Sequence, residues 1–64
     1  MNKIEIPTNA TNGEVMELLF PSYVYFYDMT YIFIYVDEKH YKKHKYLVKY
    51  SKKWWDRPYN QKEE

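Results

Sequence analysis

The order of apolar and polar positions divides the chain into short, distinct segments. Thr11-Asn12-Gly13-Glu14 opens the first of them. A threonine followed three residues later by a glutamate can satisfy two free N–H groups reciprocally at a helix start. Val15, Leu18 and Leu19 follow, with Met16 and Phe20 four apart, and this spacing makes one apolar stripe on a helix. Pro21 ends it, because a proline pushes the preceding residue out of the helical region. A helix is therefore predicted over 12–20. Tyr23–Tyr27 and Tyr31–Val36 are β-branched and aromatic runs that read as strands, separated by the polar break Asp28-Met29-Thr30. With no glycine in that break, the tight primed turns are disfavoured. Residues 37–45 form a charged connection, open between loop and helix, and 46–50 reads as a third strand. Ser51 can cap a last helical turn bearing Trp54 and Trp55, which Pro58 stops. Ile4 and Ile6 alternate with polar neighbours and allow a short edge strand. The expected layout is a polar arm at 1–10, one small domain at 11–59, and a frayed tail at 60–64.

The fold class is α+β: one short N-terminal helix packed on a three-stranded antiparallel sheet, closed by a C-terminal Trp-Trp turn. Alternate strand residues point to opposite faces. Taking the break as three residues, one face of the hairpin gathers Val24, Phe26, Ile32, Ile34 and Val36. The other gathers Tyr23, Tyr25, Tyr27, Tyr31, Phe33 and Tyr35. The aliphatic face is expected to meet Val15, Leu18 and Leu19. One short helix roofs one side only, so the tyrosine side is left to the Trp54–Trp55 tail, another chain, a ligand or water.

Composition sharpens this picture. The chain has 64 residues, no cysteine, one glycine, nine tyrosines, three phenylalanines and two tryptophans. Without cysteine it has neither a disulfide framework nor a thiolate metal site. Its longest apolar run is six residues, far from the ~20 that span a bilayer. No basic start leads into an apolar signal core, which makes the cytoplasm the expected address and a membrane partner unexpected. The formal net charge of +1 conceals a division. Residues 1–38 hold one lysine against six acids, a net of −5, whereas 39–64 hold nine basic residues against three acids, a net of +6. Asymmetry of this size points to an acidic partner, either protein or nucleic acid.

Little in the chain supports catalysis, and no cofactor is expected. His40 and His44 are four apart, but Lys39, Lys42, Lys43 and Lys45 around them repel a metal dication. Glu14 is engaged as a cap, Glu17 is expected on the solvent side, and Asp28 suits a turn. One glycine cannot make a phosphate-cradling loop. The stretch 39–53 has seven lysines interleaved with Tyr41, Tyr46 and Tyr50 and runs into Trp54 and Trp55. Lysines meet phosphates and aromatic rings stack on bases in single-strand binders.

Two segments also carry a resemblance. Thr11-Asn12-Gly13-Glu14-Val15-Met16-Glu17-Leu18-Leu19-Phe20-Pro21 and Trp54-Trp55-Asp56-Arg57-Pro58-Tyr59 resemble short uncharacterised proteins of phages, prophages and mobile elements of low-GC Gram-positive bacteria. Those proteins begin on a Thr-Asn-Gly-(acid) cap and close on a Trp-Trp-x-x-Pro-Tyr tail. Their tail usually has a small residue where this chain has Arg57, and the lysine-rich 39–53 is unusual among them. The resemblance implies a phage accessory role, exercised by stoichiometric binding to a host defence nuclease or replication enzyme, as anti-CRISPR proteins do. On that reading Tyr25, Phe33 and Tyr35 anchor the partner, while Lys42, Lys43, Lys45 and Lys49 steer association. The alternative is a nucleic-acid binder using Tyr46, Lys49, Tyr50, Lys52, Lys53 and Trp54. Self-association as a homodimer is the third.

Overall fold

In a computed structural model, which describes residues 5–59, the chain is a helix followed by a three-stranded antiparallel sheet with two further short helices. Helix α1 is Asn12–Leu19, strand β1 Val24–Tyr27, strand β2 Tyr31–Tyr35, helix α2 Glu38–Lys42, strand β3 Val48–Ser51 and helix α3 Lys52–Trp55. The sheet order is β1-β2-β3. Ile4 and the tail from residue 60 lie outside the described residues, and residues 5–10 form no strand.

Local chemistry explains each boundary. The Thr11 hydroxyl accepts the Glu14 N–H at 3.2 Å, and the Glu14 carboxylate accepts the Thr11 N–H at 2.8 Å, completing the capping box. Asp37 caps α2 by accepting the His40 N–H at 2.9 Å, so the charged connection contains a helical turn. Ser51 caps α3 by accepting the Trp54 N–H at 3.1 Å.

The strand register corrects the expected faces. Tyr25 pairs with Ile34, Phe26 with Phe33 and Tyr27 with Ile32, because the hairpin loop is only Met29-Thr30 and Asp28 joins the ladder opposite Tyr31. A slip of one residue moves a strand's side chains to the other face. The first face therefore shows Tyr25, Tyr27, Ile32, Ile34, Val48 and Tyr50, and the second shows Val24, Phe26, Tyr31, Phe33, Tyr35 and Lys49.

The core lies on the first face. Ile32 and Ile34 are fully buried, Trp55 is 4% exposed, and Met16, Tyr23, Tyr25, Val48, Tyr50 and Trp54 pack around them. Burying two isoleucines and an indole contributes several kcal/mol, at roughly 1.5–3 kcal/mol per large apolar side chain. The helix stripe also differs from expectation. Val15 and Gly13 are buried, whereas Leu18 and Leu19 are 42% and 45% exposed. Trp55 is the reason: it occupies the place beneath α1, against Gly13, and the tryptophans thus cover the helix side rather than the second face.

The segments Thr11–Pro21 and Trp54–Tyr59, far apart in sequence, meet in space. The Asn12 N–H donates to the Arg57 carbonyl at 2.7 Å, the Tyr59 N–H to the Ala10 carbonyl at 2.9 Å, and the Asn12 side-chain amide to the Trp54 carbonyl at 2.8 Å. Thr11 and Pro58 form an antiparallel bridge between them.

Candidate functional site

The second sheet face carries the densest concentration of accessible aromatic and basic side chains. Phe33, on the central strand, has Phe26, Tyr31 and Tyr46 around it at ring-centroid distances of 6.3, 6.2 and 5.2 Å. Tyr41 of α2 reaches over the sheet to Tyr35 at 5.1 Å and Phe26 at 6.3 Å. Tilted and edge-to-face contacts of this kind hold rings beyond what area alone gives. Lys49 lies across Phe33 in the register, and its Nζ sits 4.3 Å from the centroid of Tyr31 and 5.9 Å from that of Phe33. The cation occupies the ring face that a nucleobase would need for stacking.

Helix α2 and the turn after it partly roof this face. After Lys43, His44 turns into the left-handed region with φ 59°. The Lys45 N–H then donates to the His40 carbonyl at 2.9 Å and the His44 N–H to the Tyr41 carbonyl at 3.0 Å, the double bond of a Schellman ending. The chain returns to the sheet as the Leu47 N–H donates to the Ile34 carbonyl at 2.7 Å. This path seats Tyr41 and Tyr46 on the aromatic cluster and leaves Lys39, Lys42, Lys43 and Lys45 exposed at its border. Among the described residues none of these four, nor Lys49, has a carboxylate within ion-pair distance. Phe26, Tyr35, Tyr41, Lys42 and His44 line a notch of about 180 Å³.

The expected anchors divide between the faces. Phe33 and Tyr35 are on the second face, but Tyr35 is already buried under Tyr41. Tyr25 is not with them. It lies on the helix side, where its hydroxyl donates to the Phe20 carbonyl at 2.7 Å and the Met16 carbonyl at 3.2 Å, closing the end of α1. Burial, with Glu17 and Tyr23 nearby, raises its pKa. Of the expected steering lysines, Lys42 and Lys49 border the aromatic cluster, and Lys43 and Lys45 belong to the turn.

The nucleic-acid set also splits. Tyr46 and Lys49 share the second face, whereas Tyr50 and Trp54 stack on each other at 4.5 Å on the helix side. Lys53 is exposed, and Lys52 pairs with Asp56 at 3.1 Å. Phe26, Tyr31 and Tyr41 complete the accessible cluster, although none of the three is among the site residues expected from the sequence. The signal for Phe26 is the length of the hairpin loop, since a two-residue closure brings it opposite Phe33, whereas Tyr31 shares that face with Phe33 by strand alternation alone.

A larger concavity of about 540 Å³ lies between Pro7, Asn9, Ala10 and α1, with Glu14, Glu17 and Leu18 on its wall. Both carboxylates are engaged. Glu14 caps the helix, and Glu17, half-buried rather than solvent-facing, accepts the Tyr27 hydroxyl. Burial, and then the neighbouring charge of Glu14, raises the Glu17 pKa. No group of three or more metal-ligating side chains is found among the described residues, and no helix there is long and apolar enough to cross a membrane. Comparison of the chain with family models, curated proteins and solved structures finds no match.

Proposed function

We propose that this chain is a non-catalytic accessory protein of a phage or mobile element that docks stoichiometrically on a host protein, a defence nuclease or replication enzyme, in the host cytoplasm. The observation that carries this reading is the second sheet face. Rings of Phe26, Tyr31, Phe33 and Tyr46 remain accessible at its centre, and lysines without an ion-pair partner among the described residues stand at its border. Aromatic rings are enriched among the anchors that dominate protein interfaces, and border charges govern encounter with an oppositely charged surface. The partner surface is therefore acidic, with an apolar centre that receives Phe33 and Tyr46.

Affinity capture from host lysate with the wild-type chain and with a Tyr46→Ala/Lys49→Glu variant tests this. A partner retained by the wild type and lost by the folded variant supports it. Equal recovery by both sinks the assignment of this face. Single-stranded nucleic acid is the second reading, favoured by the exposed lysines of 39–49. It predicts binding of labelled DNA or RNA that weakens log-linearly with salt. The contact of Lys49 with the Tyr31 ring and the edge-on packing of the cluster weigh against base stacking there.

A further inference from the structure

Among the described residues, strand β1 has one bonded flank and one open flank. The Asp28 N–H donates to the Tyr31 carbonyl at 2.9 Å, so Asp28, Phe26 and Val24 direct their backbone groups to β2. In an antiparallel ladder the intervening residues direct theirs the other way. The N–H and C=O groups of Tyr25 and Tyr27 therefore face outward, and no strand among the described residues pairs with them. Natural sheets guard such edges with lysine, proline, a bulge or a covering segment. Strand β3, the other edge, carries Lys49. The Val-Tyr-Phe-Tyr of β1 has no charge and no proline.

We propose that β1 pairs antiparallel with β1 of a second copy, giving a six-stranded sheet with a two-fold axis at Phe26. The strand is its own complement in this register. Tyr25 of each copy meets Tyr27 of the other through their outward backbone groups, which makes four hydrogen bonds. Phe26, a non-bonded position, comes opposite Phe26 of the other copy, where facing Cβ atoms are ~4.5–5.5 Å apart. Val24 meets Asp28, so no like charges oppose each other. Phe26 is 42% exposed and Tyr27 50% exposed in the single chain, and each gains an aromatic neighbour in the pair. The absence of opposed like charges and the matching of exposed aromatic residues favour a second copy as the occupant, and isologous two-fold pairing is the commonest form of assembly. The proposal is independent of the docking reading. It would set two aromatic faces side by side on one continuous sheet.

The experiment is sedimentation of the full chain over a concentration series, with two charge variants of the exposed Phe26. The wild type is expected to dimerise. Phe26→Lys and Phe26→Glu, each with wild-type circular dichroism, are each expected to weaken the dimer about tenfold or more, because like charges then face each other across the axis. An equimolar mixture of the two variants is expected to restore it as a heterodimer. A wild type that stays monomeric at the concentrations used for NMR overturns the proposal while leaving the docking face untouched. A dimer that either variant preserves, or that mixing fails to restore, overturns the register. Should a variant fail to fold, an intermolecular Phe26–Phe26 contact in isotope-filtered spectra of the wild type decides, and its absence from a dimer overturns the axis.

Discussion

Gly13 lies directly against the indole of Trp55: a Cβ built on Gly13 would stand 2.0 Å from the indole Nε1 and 2.2 Å from Cε2. The backbone φ of Gly13 is not positive, so space alone requires the glycine here. Trp55 cannot move aside freely, since it is nearly buried and packs on Ile32 and Ile34. Gly13→Ala should cost about 2–3 kcal/mol, the upper range for overpacking. A chain of this length rarely draws more than ~3–5 kcal/mol from its core. Urea unfolding followed by tryptophan fluorescence should therefore show a variant that has lost roughly half or more of the wild type's stability. A wild-type midpoint would mean that α1 does not rest on the indole.

Asn12 offers a gentler test of the same junction. Its amide donates to the Trp54 carbonyl at a half-buried site. Asn12→Ala should cost about 0.5–1.5 kcal/mol, the net value of one such bond. Thermal unfolding of the variant measures this, and Asn12→Asp, which keeps the size but loses the donor, should lose at least as much.

His44 occupies a position where glycine is usual, at φ 59° after the end of α2. A side chain there costs roughly 1–2 kcal/mol, against roughly 0.5–1 kcal/mol for the extra chain entropy of glycine. His44→Gly should accordingly raise stability, by up to about 1 kcal/mol on the same reasoning. His44→Val should lower it, because a β-branched residue tolerates this backbone least. Opposite shifts in melting temperature are the expected pair of results.

Two carboxylates make opposing contributions to pH dependence. Hydrogen bonding from the His40 side chain and backbone holds the Asp37 carboxyl below its ordinary range. Its stabilising effect is complete above the unfolded value of about 3.9 and is lost as pH falls through the lower folded value. Glu17 is shifted the other way by burial and by Glu14, so it holds its proton more tightly in the folded chain. Its contribution is largest at low pH and declines as pH rises from about 4.3 through the folded value. Asp37→Asn, which keeps a capping side chain, should flatten the acid limb of the stability profile. Glu17→Gln should match or exceed the wild type at pH 7 and lose that advantage in acid. Denaturation midpoints across pH 2–8 separate the two effects.

The local signals in the sequence are strong, and the long-range ones are not. Thr11 with Glu14, Ser51, and the alternating runs on both sides of Met29-Thr30 specify their elements through neighbours, and the structure has each of them. The faces depend on one residue. Assigning Asp28 to the turn pairs Tyr27 with Tyr31, whereas placing it in the ladder pairs Tyr27 with Ile32, and the chemistry of aspartate allows both. Tyr41 and Tyr46 are hidden for a different reason. Each is a single ring in a lysine-rich stretch, too sparse to make a stripe, and only the His44 turn folds them onto Phe26 and Phe33.

The pairing of Thr11 with Pro58 also bears on how the chain is made. An eight-residue helix has little persistence in water by itself, and its seat, Trp55, is translated only after β3. A chain that ends before Trp55 lacks the indole that covers Ile32 and Ile34 on that side of the sheet. The first helix therefore gains its seat only when the last segment arrives, and the two ends of the fold form together.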